Sequence, residues 1–292
     1  MIGVNPSTSL RAGLQVRPAV SADLQKIADL IFFEARIHRH LDWRTPLEWL
    51  GHSPYWVLEE QRRVVGALAC PPDPDSISWI RLFAIAAHLS APLAWSALWD
   101  AARRELAERG HVTAAAIVTQ RWFESILVQS GFTLRQHIVL LEWSEQPTAR
   151  ASVPAGIFIR PMTPADLQTV VEVDAAAFEP LWHNSLEALS KAHSQALYAS
   201  VAEDASGLVG YQLATKSPPG AHLARLAVRP EAQGRRIGSA LVSDFISHVW
   251  GGRIARITVN TQQDNLASLA LYQRLGFHRT GEEYPVYTYP LE

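Results

Sequence analysis

The chain has 292 residues, 48% of them hydrophobic and 18% charged, which supplies core material for more than one folded domain and excludes a disordered polymer. A formal net charge of -2 lacks the basic excess that binding nucleic acid through bulk electrostatics needs. The single cysteine, Cys70, rules out an internal disulfide or a CxxC metal site, and no metal is expected.

Residues 1–13, MIGVNPSTSLRAG, have no apolar centre of the kind a secretory signal carries, and are read as a flexible N-terminus. No apolar run approaches the ~18 residues of a membrane span. A cytoplasmic protein without a membrane or nucleic-acid partner is expected.

The first expected strand carries Val16-Arg17-Pro18, and Ala22-Asp23-Leu24-Gln25 then opens a helix. A strand at Ile80 to Ala84 leads into Ala86 to Trp95, a loop and helix start without glycine. Gly131-Phe132 closes the last helix of this half. Ser144 to Gly156, rich in Pro, Ser and small residues, has no apolar periodicity, and the linker is placed at 147–156. Beyond it Ile159-Arg160-Pro161 and Ala165-Asp166-Leu167-Gln168 repeat the opening motif at an offset of 143, and Gly276-Phe277 repeats Gly131-Phe132 at 145. Two matches far apart at nearly constant offset indicate a duplicated domain, 14–146 and 157–292.

In the second half, a strand at Phe158 to Arg160 precedes a helix through Val170 and Val173, opened by Thr163-Pro164. A looser segment holds Trp182. Apolar runs at Ala196 to Ala202 and Leu208 to Ala214, joined by Glu203 to Gly207, read as a hairpin. A fourth strand is expected at His222 to Val228, a helix at Gly238 to Trp250 and a buried strand at Ile254 to Val259. Asp264 or Asn265 caps a helix ending at Leu275, and two strands follow, Phe277 to Thr280 and Tyr284 to Tyr289. The order βαβββαβαββ is an α/β (α+β) fold with a mixed, mostly antiparallel central sheet flanked by helices, present twice.

The densest chemical signal is Leu226 to Leu241: a strand, a turn and a small-residue loop immediately before a helix. Such a loop aims several backbone N–H groups outward and the helix end adds partial positive charge, which together suit a pyrophosphate. A dinucleotide fingerprint would follow the first strand of a βαβ unit rather than the fourth strand, and a GKS or GKT sequence is absent.

Here the sequence resembles the GCN5-related N-acetyltransferase (GNAT) superfamily. Gln233-Gly234-Arg235-Arg236-Ile237-Gly238 is similar to its Q/R-x-x-G-x-G/A phosphate loop, with Arg236 in place of the first glycine. Asn265-Leu266-Ala267-Ser268-Leu269-Ala270-Leu271-Tyr272-Gln273-Arg274-Leu275-Gly276-Phe277 is similar to its second signature, N-x-x-(A/S)-x-x-x-Y-x-x-x-G-F. The resemblance implies acetyl-CoA as cofactor, with the strand Leu226, Ala227 and Val228 meeting the pantetheine arm. Gln233, Gly234, Arg235, Arg236, Ile237, Gly238 and Ser239 would hold the pyrophosphate, with Asn265 and Ser268 beside the cofactor. Arg229 would add charge near the phosphates. Tyr272 occupies the position of the acid that protonates the leaving thiolate. His222 stands where many members carry a glutamate base; Asp174, Glu179, His183 and Tyr211 compete for that role. The acceptor, a small-molecule or protein amine, would meet Phe178, Trp182, His183 and Tyr211, where aromatic faces beside a carboxylate could hold a cationic amine.

The first half keeps the frame without this chemistry: Leu127 stands at the Tyr272 position and Gln120 at the Asn265 position. It carries eight of the ten tryptophans, read either as an aromatic core or as one wall of the acceptor site. The expectation is therefore one catalytic and one degenerate domain, monomeric or homodimeric. Two alternatives stay open. One is acetylation of a small thiol-bearing amine in the manner of mycothiol synthase, whose mark would be an acidic residue on the fourth strand. The other is a non-catalytic acyl-CoA-binding module.

Overall fold

The structure, a computed structural model, describes residues 13–34, 36–110, 112–143, 152–217, 220–249 and 256–291. Residues 1–12 of the expected N-terminal segment and 147–151 of the expected linker lie outside these, as do Trp250 and Ile254, the expected end of a helix and start of a strand. The chain forms two compact units, one of residues 1–135 with 286–292, the other of residues 136–285. These units do not end where the repeat ends, and the last strand of each half explains why.

Unit 1 runs through β1 (Leu14–Pro18), α1 (Leu24–Phe33), β2 (Arg36–Arg39), β3 (Tyr55–Glu60), β4 (Arg63–Ala69), β5 (Ile77–Trp79), β6 (Leu82–Ile85), α2 (Ala91–Ala107), β7 (Val112–Ile117), α3 (Arg121–Gln129) and the first residues of β8 (Thr133–Trp143). Its antiparallel sheet has the order β1-β3-β4-β6-β2. The strand expected at Ile80 to Ala84 is broken in two. Ile80 N–H bonds to Ala115 O (2.8 Å) and Arg81 N–H to Ala69 O (2.8 Å), so the chain leaves β7, which β5 joins in parallel, and crosses to β4 as β6.

Unit 2 contains β9 (Phe158–Pro161), α4 (Leu167–Ala177), α5 (Leu186–Ser194), β10 (Tyr198–Asp204), β11 (Gly207–Ser217), β12 (Gly220–Val228), α6 (Ile237–Val249), β13 (Ile257–Gln262), α7 (Leu266–Arg274) and β14 (Phe277–Leu291). Helix α5 replaces the expected loose segment; Ser185 caps it by accepting from Ala188 N–H at 3.0 Å. The two closing strands expected at 277–280 and 284–289 are one strand, β14, bent at Gly281 with φ +89°.

The final strands are exchanged. Ile138–Trp143 of β8 pairs antiparallel with β13 in unit 2, and Val286–Leu291 of β14 pairs antiparallel with β7 in unit 1. Apolar burial follows the exchange: Val139, Leu141 and Trp143 pack with Phe245, Ile257 and Phe277, while Tyr287 and Leu291 enter the core of unit 1. That core is aromatic. Trp95 is 1% exposed among Phe83, Trp99, Phe123 and Phe132, which accounts for these tryptophans as packing.

The repeated opening motif has a structural cause. Arg17 grips Asp23 (2.7 and 2.9 Å) and Glu59 on β3; Arg160 grips Asp166 (2.8 and 2.8 Å) and Glu203 on β10. Each aspartate also accepts the N–H three residues earlier, from Val20 at 3.0 Å and Thr163 at 2.7 Å, closing the first helical turn. The hydrogen bonds from Arg160 hold the Asp166 carboxyl well below its usual range. Each clamp ties a helix start to a hairpin.

Candidate functional site

The site in unit 2 is built on the place where two parallel strands diverge. The ladder between β12 and β13 joins Ala221 to Ile257, His222 to Thr258 and Leu223 to Val259, and extends no further among the described residues. On its other side β12 stays paired with β11 as far as Val228 opposite Gly210, with a register shift that leaves Ala224 as an extra residue. Arg229 N–H bonds to Val209 O (2.8 Å), so alternation turns the N–H and C=O groups of Leu226 and Val228 to the edge away from β11. Gln233 Nε2 donates to Val228 O at 3.1 Å from that edge, which agrees. The backbone of Leu226 to Val228 is therefore a strand edge able to bond an extended ligand.

At the end of this strand the chain makes a short turn, Pro230–Ala232, and enters α6. Gly234 takes φ +76° and Arg236 takes φ +64°. Arg236 thus adopts the left-handed backbone its missing glycine would have supplied, at a cost of about 1–2 kcal/mol. The first N–H groups of α6 have no acceptor within the helix, and its dipole adds positive character. A Cβ on Gly238 would sit 2.9 Å from Leu271 Cδ1, so glycine lets α6 and α7 close against each other beside the open edge. The arginines divide: Arg235 Nη1 meets Asp204 at 2.7 Å and Arg229 meets Glu172 at 3.5 Å, whereas Arg236 is exposed and unpaired among the described residues.

The second signature serves the helix first. The Asn265 side chain accepts from Ser268 N–H (3.0 Å), capping α7. Tyr272, two turns on, is 4% exposed, with its ring 5.6 Å from Phe277. Burial holds its phenol above the ordinary value, so it is protonated at neutral pH and able to donate. His222 lies where β12 and β13 are still paired, its Nδ1 2.8 Å from Thr258 Oγ1. Burial pushes the imidazole down to about 4, so it is neutral at pH 7 and a weak proton acceptor.

The acceptor-side residues are arranged differently from the sequence expectation. Asp174 on α4 is fully buried and accepts Arg225 Nε (2.7 Å), Arg225 Nη2 (2.8 Å), Asn184 N–H (3.1 Å) and the Tyr211 hydroxyl. Arg225 also donates to Trp182 O and lies 3.5 Å over the centre of the Phe178 ring. A cation of the protein itself therefore lies on the Phe178 ring, one of the aromatic faces expected to receive the amine. Tyr211 is fully buried, and that burial, with the adjacent Asp174 charge, raises its phenol well above the ordinary value. Burial opposes charge on Arg225, yet Asp174 outweighs it and raises the guanidinium further. His183 is bonded through Nε2 to Phe178 O at 2.9 Å. Asp174 and Tyr211 are thus excluded as free bases, and Phe178, Trp182, His183 and Tyr211 form a clamped wall. Arg225, 51 residues from its partner, was not singled out by the sequence.

Unit 1 repeats the frame and closes the slot. β5 and β7 pair in parallel as far as Trp79 opposite Ala115, and β6 then departs. The edge of β6 corresponding to Leu226 and Val228 is bonded to β2, with Arg36 to Arg39 opposite Ile85 to Leu82. Leu127, at the Tyr272 position, is fully buried.

The profile of the Acetyltransferase (GNAT) family matches residues 165–277. A mycothiol acetyltransferase of Saccharomonospora viridis is 25% identical over 202 residues, 62% of this chain and 63% of that protein, so the chain spans less than two thirds of that relative. The N-alpha-acetyltransferase RimI of Mycobacterium tuberculosis is 30% identical over 130 residues, 43% of this chain and 80% of that protein. Among solved structures, a tandem GNAT protein from the clavulanic acid biosynthesis pathway superposes with a TM-score of 0.65 over 96% of this chain and 99% of that one, at 18% identity, and shares the fold.

Proposed function

Because the chain belongs to the GCN5-related N-acetyltransferase superfamily, we propose that unit 2 transfers an acetyl group from acetyl-CoA to a primary amine, by direct attack within a ternary complex. The observation that carries this reading is the open edge of Leu226 and Val228 leading into the Gly234 to Gly238 turn at the start of α6. The residues fit the cofactor: a backbone edge for an extended amide chain, with the first N–H groups of α6 and Arg236 for phosphates.

Acetyl-CoA supplies the activated acyl thioester. The protein's contribution is placement and charge. Leu226 and Val228 orient the arm, the α6 turn neutralises phosphate charge, and the buried Tyr272 hydroxyl donates a proton to the departing sulfur. The Arg225 node fixes β12 at its bulge, where a backbone N–H polarises the thioester carbonyl.

The acceptor is an α-amine. His222, depressed to about 4, and Asp174, held by Arg225, are weak proton acceptors, which favours an amine that arrives neutral. An α-amine of pKa about 8 is neutral far more often at pH 7 than a lysine amine of pKa about 10.4. The name of one relative, an N-alpha-acetyltransferase, fits that class. Thiol release should be followed with acetyl-CoA and two peptides, one with a free N-terminus and no lysine, the other N-terminally blocked with one lysine. Faster turnover of the blocked lysine peptide removes the α-amine reading, and no binding of acetyl-CoA to folded protein removes the enzyme.

A further inference from the structure

A cavity of about 990 Å³ opens in unit 1 between α2 and the β1–β3 pair. None of its lining residues belongs to β6 or β7, so it is separate from the plugged counterpart of the acyl slot. Leu58 and Ala97 give it apolar walls; Trp56, Asp100, Arg104 and Glu105 give it a polar side. The Trp56 ring is fixed at the wall by its Nε1 donating to Glu105 Oε2 at 3.0 Å. The volume is that of a small-molecule site.

The repeat supplies a template for the occupant. At a spacing of 144 residues, Arg81, Asp100 and Arg104 correspond without a gap to Arg225, Asp244 and His248. In unit 2 this helix face holds a ring: the Tyr198 hydroxyl donates to Asp244 Oδ2 at 2.8 Å, and the Tyr198 ring stacks on His248 at 3.8 Å and 11°. The residue corresponding to Tyr198 is Pro54, which has neither ring nor donor to offer. The neighbouring Tyr55 sends its hydroxyl to Pro46 O at 3.4 Å instead. Asp100, with a side chain 51% exposed, keeps the contact from Arg103 of its own helix at 3.1 Å and otherwise lines the cavity.

We propose that this cavity binds a small molecule whose aromatic ring carries a hydrogen-bond donor, a phenol or an aryl-substituted amine. Its donor meets Asp100, its ring lies against the Arg104 guanidinium and its remaining apolar portion lies along Leu58 and Ala97. A carboxylate accepts from a hydroxyl or an ammonium alike, and guanidinium stacks on aromatic faces as imidazole does. The role requires no acyl transfer, so it stands or falls apart from the activity of unit 2.

The test is calorimetric titration of the full chain with tyramine, 4-ethylphenol and ethylbenzene, repeated on Asp100→Ala and on Ala97→Leu with Ala101→Phe. The double variant carries the residues found at those positions in unit 2, Leu241 and Phe245. The expected result is saturable binding of the two donors, at least tenfold weaker in Asp100→Ala and lost in the double variant, with acetyl-CoA titration unchanged in both. If ethylbenzene binds as tightly as 4-ethylphenol, or Asp100→Ala binds as the parent does, the recognition proposed is wrong. If neither donor binds the parent at millimolar concentration, there is no such site. A double variant that fails to fold leaves the decision with Asp100→Ala, which alters a side chain already half in solvent.

Discussion

Residues 82–85 of unit 1 and 226–229 of unit 2 hold the same place in the repeat, yet among the described residues the first strand is hydrogen-bonded along both edges and the second along one. The difference shows what the duplicated frame needs for function. In each unit a pair of parallel strands diverges, and a buried arginine anchors the point of divergence: Arg225 with Asp174 and Phe178, Arg81 with Asp42 (2.8 Å) and Trp49 (4.5 Å). Among the described residues, the freed edge stays unpaired by another strand in unit 2 alone. The arginine node is architecture common to both; the open edge, the left-handed turn and Tyr272 are what separates them.

The common architecture is the first thing to break. Asp174→Ala leaves Arg225, 11% exposed, without its carboxylate, and Asp42→Ala does the same to Arg81, 7% exposed. Each should cost about 3–5 kcal/mol of stability, read from denaturant unfolding. A loss in one unit only would end the equivalence of the nodes. The cofactor turn comes next. Gly238→Asp brings a Cβ within 2.9 Å of Leu271 and an anion to the phosphate end of α6, and should weaken acetyl-CoA binding by about a hundredfold, ~2.7 kcal/mol, by calorimetry. Ser90→Gly in unit 1, at the position of Gly234, should leave it unchanged. Tyr272→Phe should lower kcat by about 10²-fold while acetyl-CoA affinity stays constant; an equal loss in affinity would make the tyrosine a packing residue.

Acidity probes both units at once. Burial pushes His38 and His222 down to about 4 from an ordinary 6.5, so the unfolded chain takes up protons that the folded one refuses. Their contribution is complete above about pH 6.5 and is lost as the pH falls towards 4. The midpoint of thermal unfolding should drop across that window, and His38→Gln and His222→Gln should each flatten the slope. The smallest effect is Arg236→Gly. It relieves a left-handed residue worth about 1 kcal/mol and should raise the unfolding midpoint by ~2–4 °C. A sharp gain in acetyl-CoA affinity would mean that the turn is distorted as it stands.

Local signals carried most of unit 2. The 3.6-residue spacing, Thr163-Pro164 and the Asn265 cap place α4, α6 and α7 close to their observed ends. Helix α5 escaped because Leu189 and Ala192 are its only buried residues, although Ser185, Glu187 and Lys191 form an ordinary start and finish. The strand exchange is illegible for a different reason. β8 and β14 follow the same Gly-Phe ending, so either would satisfy the period-two pattern of either sheet. The Arg225 contact on the acceptor-side segment left no sign in the sequence, because the cation that covers Phe178 comes from a distant strand and pairing across the sheet leaves no local mark.

The exchanged strands also set a timetable. β7 ends at residue 117, but the segment beside it, Val286–Leu291, lies beyond nearly the whole second repeat. While that repeat is being made, unit 1 therefore waits with an unpaired edge at β7. The long separation between these partners is of the kind that slows folding and leaves edges open to wrong pairings. Cutting the gene between its two repeats would not release two working halves, because each would depart with a strand that the other needs.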